Sequence, residues 1–342
     1  MKLKFNGVLL LILAISLTIS LTGCSYSCDN HEYVDGNCKH CHVTDTKCFD
    51  FTLLNDGTYS VKVNKFYTDN IPSEVKIPES YEGKAVTQVG LMGFTKCEGI
   101  TKVVMPDSIT TLNTYAFSSC TSLTGIKLSK NLKDIGSGAF YNCTSLESIS
   151  IPKSVTNIVG SAFSGCTSLK SITIPDSVTY LGDGAFLHCS SLKKVVLGDG
   201  ITAIEHSTFM GCTSLTTLKF GKSINEIKYG AFYDCSSLES IVIPDTVTEI
   251  GNGVFYNCTS LKEVELPGNI MQIPNYFFCG CSSLESIVIP GSVGYLGQDA
   301  FKNCPKLTNV YYRGTKQDWN RANIYADSGL NKGAVIHYEY NN

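Results

Sequence analysis

The sequence predicts an elongated solenoid, a right-handed stack of parallel β-rich coils, and three observations carry that prediction. Ten cysteines, Cys97, Cys120, Cys143, Cys166, Cys189, Cys212, Cys235, Cys258, Cys281 and Cys304, stand 23 residues apart. Phenylalanines keep the same step from Phe94 to Phe301, and an aliphatic residue follows each cysteine by three positions, from Ile100 to Leu307. A fixed period without insertions means that each unit stacks on its neighbours. The 342 residues therefore do not divide into ordinary globular domains, although their length would suit about two.

One copy of the unit shows why the chain coils. In Leu169–Phe186, Ile172 and Ile174 alternate with Ser171 and Thr173, the period-two pattern of a strand with one buried face. Pro175 ends that strand and turns the chain. Val178 and Leu181 point inward from a second side, Gly182 and Gly184 form the next corner, and Ala185, Phe186 and Cys189 make a short helical or irregular return. Stacked strands lie about 4.8 Å apart, so ten coils give a rod of roughly 50 Å.

The pattern L-x-x-I-x-I-P-x-x-V-x-x-I-G-x-x-A-F-x-x-C resembles the bacterial leucine-rich repeat of the BspA surface-antigen type, over about residues 71–313. The resemblance implies a leucine-rich-repeat solenoid of about ten to eleven coils. It also implies an association with adhesion to host matrix proteins, to other bacteria or to host cells. The departures are small: Ser129, Gly198, Gly221 and Arg313 replace the turn proline, and Thr208 and Val254 replace the alanine.

A solenoid must cover its end coils, because open ends expose apolar ladders and strand edges. Residues 49–70 read as an N-terminal cap, with a hairpin around Asp56-Gly57. Residues 314–342 read as a C-terminal cap, with Trp319, the single tryptophan, packed over the last coil. At the other extreme, Lys2 and Lys4 precede an apolar run from Val8 to Leu21, which reads as a signal peptide over residues 1–23. Leu21-Thr22-Gly23-Cys24 resembles the bacterial lipobox, which would make Cys24 a lipidated first residue. The expectation is an exported chain held on the bacterial envelope by lipid alone.

Residues 24–48 form the tether, and they hold most of the cysteines outside the period. Cys28, His31, Cys38 and Cys41 supply two tight ligand pairs that suit a tetrahedral structural zinc. Outside the cell the same cysteines could form disulfides, and a disordered tether is the third reading. A closed structural site would bring no catalysis, so no cofactor is required.

Composition narrows the partners. A net charge of −3 and a pI near 6.1 lack the basic excess that neutralises phosphates, which argues against nucleic acid. The chain has no H-E-x-x-H, G-x-S-x-G or Walker A sequence, no catalytic constellation breaks the repeat, and no small-molecule substrate is implied. His188 beside Cys189 imitates a nucleophile pair, but the cysteine belongs to an inward ladder. Gly182-Asp183-Gly184 and its repeats imitate a phosphate loop, but they recur at one corner.

The remaining functional surface is the outward row of the main strand: Val104, Lys127, Ser150, Thr173, Val196, Lys219, Val242, Glu265 and Val288. Valines on a solvent-facing sheet suggest contact with extracellular or cell-surface macromolecules, protein or glycan. The competing reading is a structural spacer in the envelope, in which the N-terminal knuckle matters more than the sheet. The cysteine ladder reads as a column of reduced, buried, compact thiols, because parallel stacking keeps Cβ atoms beyond the disulfide range. Cys279 falls outside the ladder and reads as an unpaired thiol in an outward loop.

Overall fold

A computed structural model describes residues 33–34, 37–38, 45–69, 71–321, 323–324 and 328–340. The chain winds as a parallel solenoid in which each coil offers two short strands, one to a main face and one to a second face. On the main face Glu74–Lys76, Lys102–Val104 and Gly125–Lys127 pair in register, so that Val75, Val103 and Ile126 stack. On the second face Thr111–Leu112, Asp134–Ile135, Asn157–Ile158 and Tyr180–Leu181 do the same. The alternation written in the sequence is the alternation observed: Ile172 and Ile174 are buried and Ser171 and Thr173 are exposed.

Among the described residues the main face has twelve strand positions, more than the ten to eleven coils expected. Glu74–Lys76 pairs with Lys102–Val104 and is the early copy of the strand that Val75-Lys76-Ile77-Pro78 spells, inside the expected array of residues 71–313; the extra one is Val335–His337, which pairs with Asn309–Tyr312 off the 23-residue step. The antiparallel pair Ser80–Tyr81 and Lys84–Val89 lengthens the first coil, and the helix Lys316–Arg321 lengthens the last. Periodicity alone therefore misses Val335–His337. The returns are turns throughout; among the described residues the only helices are Lys316–Arg321 and the 3-10 turn Asp45–Cys48. The helical option for the returns is not taken.

The corner that joins the second face back to the main face holds the core together. Phe94, Phe117, Phe140 and their successors to Phe301 form one stack, with ring centroids 4.9–5.8 Å apart at each step. Every one of these rings is 0–1% exposed. Beside them runs the cysteine ladder, all free and buried. Glycine is needed at two places in this corner. A Cβ on Gly182 would lie 2.5 Å from the Gly160 nitrogen, and Gly184 takes φ +58.

The ends are closed differently. The strands Phe49–Leu53 and Tyr59–Val63 form an antiparallel hairpin, with Gly57 at φ +82 and Asp56 accepting from the Thr58 amide at 2.9 Å. Tyr59–Val63 then pairs parallel with Lys84–Val89, so the hairpin continues the second face. Inserting Ser80–Tyr81 has a local cost. Ser154 and Ser177 donate to carbonyls 22 residues back, whereas Ser108, facing the altered coil, is the one buried hydroxyl without a partner among the described residues. At the C-terminal end Trp319 is buried edge-on to Tyr312 at 5.1 Å, on a helix whose Thr315 and Asp318 cap each other through 3.1 Å amide bonds.

Candidate binding face

The outward row is built by the strand pleat. With Val195, Leu218 and Ile241 turned inward, Val196, Lys219 and Val242 must turn out. None of the nine residues of the row is buried: Val104, Lys127, Ser150, Thr173, Lys219, Val242 and Glu265 are exposed, and Val196 and Val288 are half-buried. Val242 is the most open apolar side chain of the row at 61%, and Val104 follows at 39%. Val288 is less open than the sequence suggests because Tyr311 lies beside it in register, itself stacked on His337 at 4.6 Å.

The face is not one continuous sheet. Ser148, Ile149 and Ser150 make no strand, and pairing is also absent between Thr217–Lys219 and Ser240–Val242 and between Glu263–Glu265 and Ser286–Ile289. The expectation of a strand in every coil is corrected there.

Charge is distributed unevenly along the face. Ion pairs cross from coil to coil at Lys102–Glu74 (2.7 Å), Lys170–Glu147 (2.6 Å) and Lys262–Glu239 (3.0 Å). These are exposed and contribute little. Once they are set aside, Lys193, Lys194 and Lys219 carry no ion pair among the described residues, and neither do Glu263, Glu265 and Glu285. The unpaired lysines precede Val242 and the unpaired glutamates follow it.

A second concavity lies on the other face. Pro274 occupies the place where Gly251 donates to Ile227 at 2.7 Å and Gly297 donates to Ile273 at 2.8 Å. Proline has no amide proton, so the ladder opens between Glu249–Ile250 and the next coil. The opening is a groove of about 520 Å³ lined by His206, Glu226, Tyr229, Glu249 and Met271, with Met271 70% and Tyr229 51% exposed. Lys228 at its rim is bonded to Glu205 at 2.7 Å, which raises the lysine pKa. Nothing in the sequence analysis singled out this groove, although Pro274 in a phase that elsewhere favours glycine is the signal that could have.

The thiols are sealed from chemistry. Cys166 donates its Sγ–H to the Phe140 carbonyl at 3.2 Å, and the same bond, 3.0–3.3 Å long, recurs from Cys120 to Cys304. Burial holds these thiols well above the usual range, to about 12 for Cys97, Cys212 and Cys304. The neighbouring His188 is exposed whereas Cys189 bonds Phe163, so the two do not form a nucleophile pair. Cys279 is free but buried, next to Tyr256 of the preceding coil, which corrects its outward placement.

Cys24, the lipid candidate, and Cys28, His31 and Cys41 of the zinc set lie outside the described residues, as does the side chain of Cys38. Among the described residues no group of three His, Cys, Asp or Glu is placed to hold a metal ion. No helix among them is long and apolar enough to cross a membrane.

Comparison with known proteins agrees with this architecture. The solved leucine-rich-repeat protein of Treponema pallidum is 28% identical, with a TM-score of 0.52 over 63% of this chain and 88% of that one. One from Bacteroides ovatus is 24% identical, with a TM-score of 0.54 over 85% of this chain and 98% of the other, and shows the fold alone. A search of curated proteins by sequence finds no match. A family model described as the BspA type leucine rich repeat region matches residues 87–216 and 181–308, more than half of the chain. The chain belongs to the BspA-type leucine-rich-repeat family.

Proposed function

We propose that this chain is a non-catalytic binding protein that presents its main face to macromolecules outside the cell, tethered by lipid on Cys24. The observation that carries the reading is the open row itself, in which Val104 and Val242 stand exposed on a strand face, Val242 between Lys219 and Glu265. Apolar side chains cost solubility there and gain nothing from the core, so a partner is the physical account of them. The test is adhesion of the full-length protein to bacterial cells, host cells and immobilised matrix proteins and glycans. Val104→Lys with Val242→Lys is expected to abolish binding while leaving thermal unfolding unchanged, and unaltered binding would overturn the face.

The same reading bears on the N-terminal cluster. Cys48, at the end of the tether, is disulfide-bonded, and the eleven cysteines from Cys97 to Cys304 are free. We therefore favour disulfides over zinc in the tether. Non-reducing peptide mapping should recover a Cys48 peptide linked to this cluster, and one equivalent of tightly held zinc in the purified protein would reverse the choice.

A further inference from the structure

We propose that the partner of the main face is a second copy of this chain, docked face to face and antiparallel about a two-fold axis lying along the strand Ser240–Val242. The proposal deepens the reading of the face as a binding surface and rests on it.

The argument is one of register. The outward row runs Thr173, Val196, Lys219, Val242, Glu265, Val288, Tyr311, one residue per coil: strand pairing fixes the register from Thr173 to Lys219, from Val242 to Glu265 and from Val288 to Tyr311, and the 23-residue step carries it across the two gaps. A two-fold axis parallel to the strands keeps each row opposite itself and reverses the order of coils. Through Val242, it sets Val242 against Val242, Lys219 against Glu265, and Val196 against Val288. The row one residue outside the strands behaves in the same way, because Lys193 then faces Glu285. Lys219, Glu265, Lys193 and Glu285 each meet an opposite charge, each pair occurring twice as an isologous contact requires, while Lys194 and Glu263 face the hydroxyls of Ser286 and Thr217. Glu239 meets its own copy across the axis, but Lys262 already holds its charge at 3.0 Å.

The most exposed apolar side chain of the row, at 61%, is thus also its centre of charge antisymmetry. A parallel dimer, with the axis along the rod, would set Lys219 against Lys219 and Glu265 against Glu265. Like charges directly opposed are unfavourable, so the antiparallel arrangement is selected. It places the N-terminal ends of the two rods at opposite ends of the contact. With lipid at Cys24 in both, the geometry suits copies rooted in two opposing surfaces, a contact between cells. Between two such surfaces many contacts act in parallel, and their avidity exceeds that of one.

Charge exchange tests this directly. The wild-type full-length chain should dimerise reversibly in sedimentation velocity, and beads coated with it should cluster, both less so as salt is raised. Lys219→Glu and Glu265→Lys should each weaken self-association at least about tenfold, since each opposes like charges. An equimolar mixture of the two variants should associate again, because the glutamates of one chain then face the lysines of the other at both crossings. The double variant, with the two charges exchanged, should associate alone. A mixture that stays monomeric overturns the pairing. A wild-type chain that is monomeric yet still adheres to cells through Val104 and Val242 overturns self-recognition and leaves the binding face standing; one that does neither overturns both.

Discussion

The phenylalanine and cysteine corner and the two strand faces are built by the same repeat, yet only the corner is continuous. Its rings stack through nine unbroken steps of 4.9–5.8 Å, and a thiol bonds to the preceding coils at each cysteine from Cys120 to Cys304. The faces break repeatedly: at Ser148–Ser150 and elsewhere on the main one, at Pro274 on the second. Coil-to-coil continuity therefore resides in apolar stacking with a buried donor, and the strand ladders are free to open. That freedom is where the groove at Pro274 and the variable surface of the main face arise.

The largest effect should come from pH acting on the corner. The folded thiols titrate above their unfolded value of about 9, up to about 12 at Cys97, Cys212 and Cys304. Between those values the folded state holds protons that the unfolded state releases. Stability is thus complete below pH 9 and falls as pH rises toward 12, by about 1.4 kcal/mol per thiol per pH unit. Because many thiols add, circular dichroism should show a steep alkaline collapse, and a thiol reagent should find the ladder only when the chain unfolds. A broad, shallow loss would mean that the column is wet.

Next in size, Phe163→Ala should cost about 3–5 kcal/mol in denaturant unfolding, as expected for a fully buried ring whose neighbours on both sides cannot collapse into the gap. Ile149→Ala, in the coil that makes no main-face strand, should cost only about 1–2 kcal/mol, since Ile149 is half-buried. Comparable losses at the two sites would erase the distinction between corner and face. Cys166→Ala removes the thiol donor to the Phe140 carbonyl, which keeps the Cys143 amide at 3.1 Å, an expected loss of about 1 kcal/mol. The smallest change is Pro274→Lys, which restores a backbone donor toward Ile250 in the form that Lys228 already uses toward Ile204 at 2.9 Å. It should move stability by no more than about 1 kcal/mol, while the new amide at 274 becomes protected from hydrogen exchange.

Much of this was legible before any coordinates. The step of Cys97 to Cys304 gives the solenoid, its inward ladders and the reduced state of the thiols, because each property depends only on equal spacing. What the cysteine is bonded to was not legible, since Cys166 and Phe140 are 26 residues apart and meet only once the coils are stacked. Cys279 shows the same limit: its phase is half-buried in most coils and exposed at Tyr141 and Lys302, and its burial beside Tyr256 shows only once the coils are stacked. Of the candidate site, the outward direction of all nine residues followed from alternation. The partial cover of Val288 by Tyr311 did not, because it depends on a coil reached through an irregular step.

By itself the sequence determined the period, the two-sided pleat, the corner chemistry and the family, because these follow from local alternation and repeat phase. Only the tertiary structure decided how many coils the rod has, where its ladders open and which thiol has which acceptor. Those facts depend on distances between residues far apart in the chain. A repeating sequence specifies its unit well, but exceptions such as Pro274 and the inserted Ser80–Tyr81 act through the neighbours they displace.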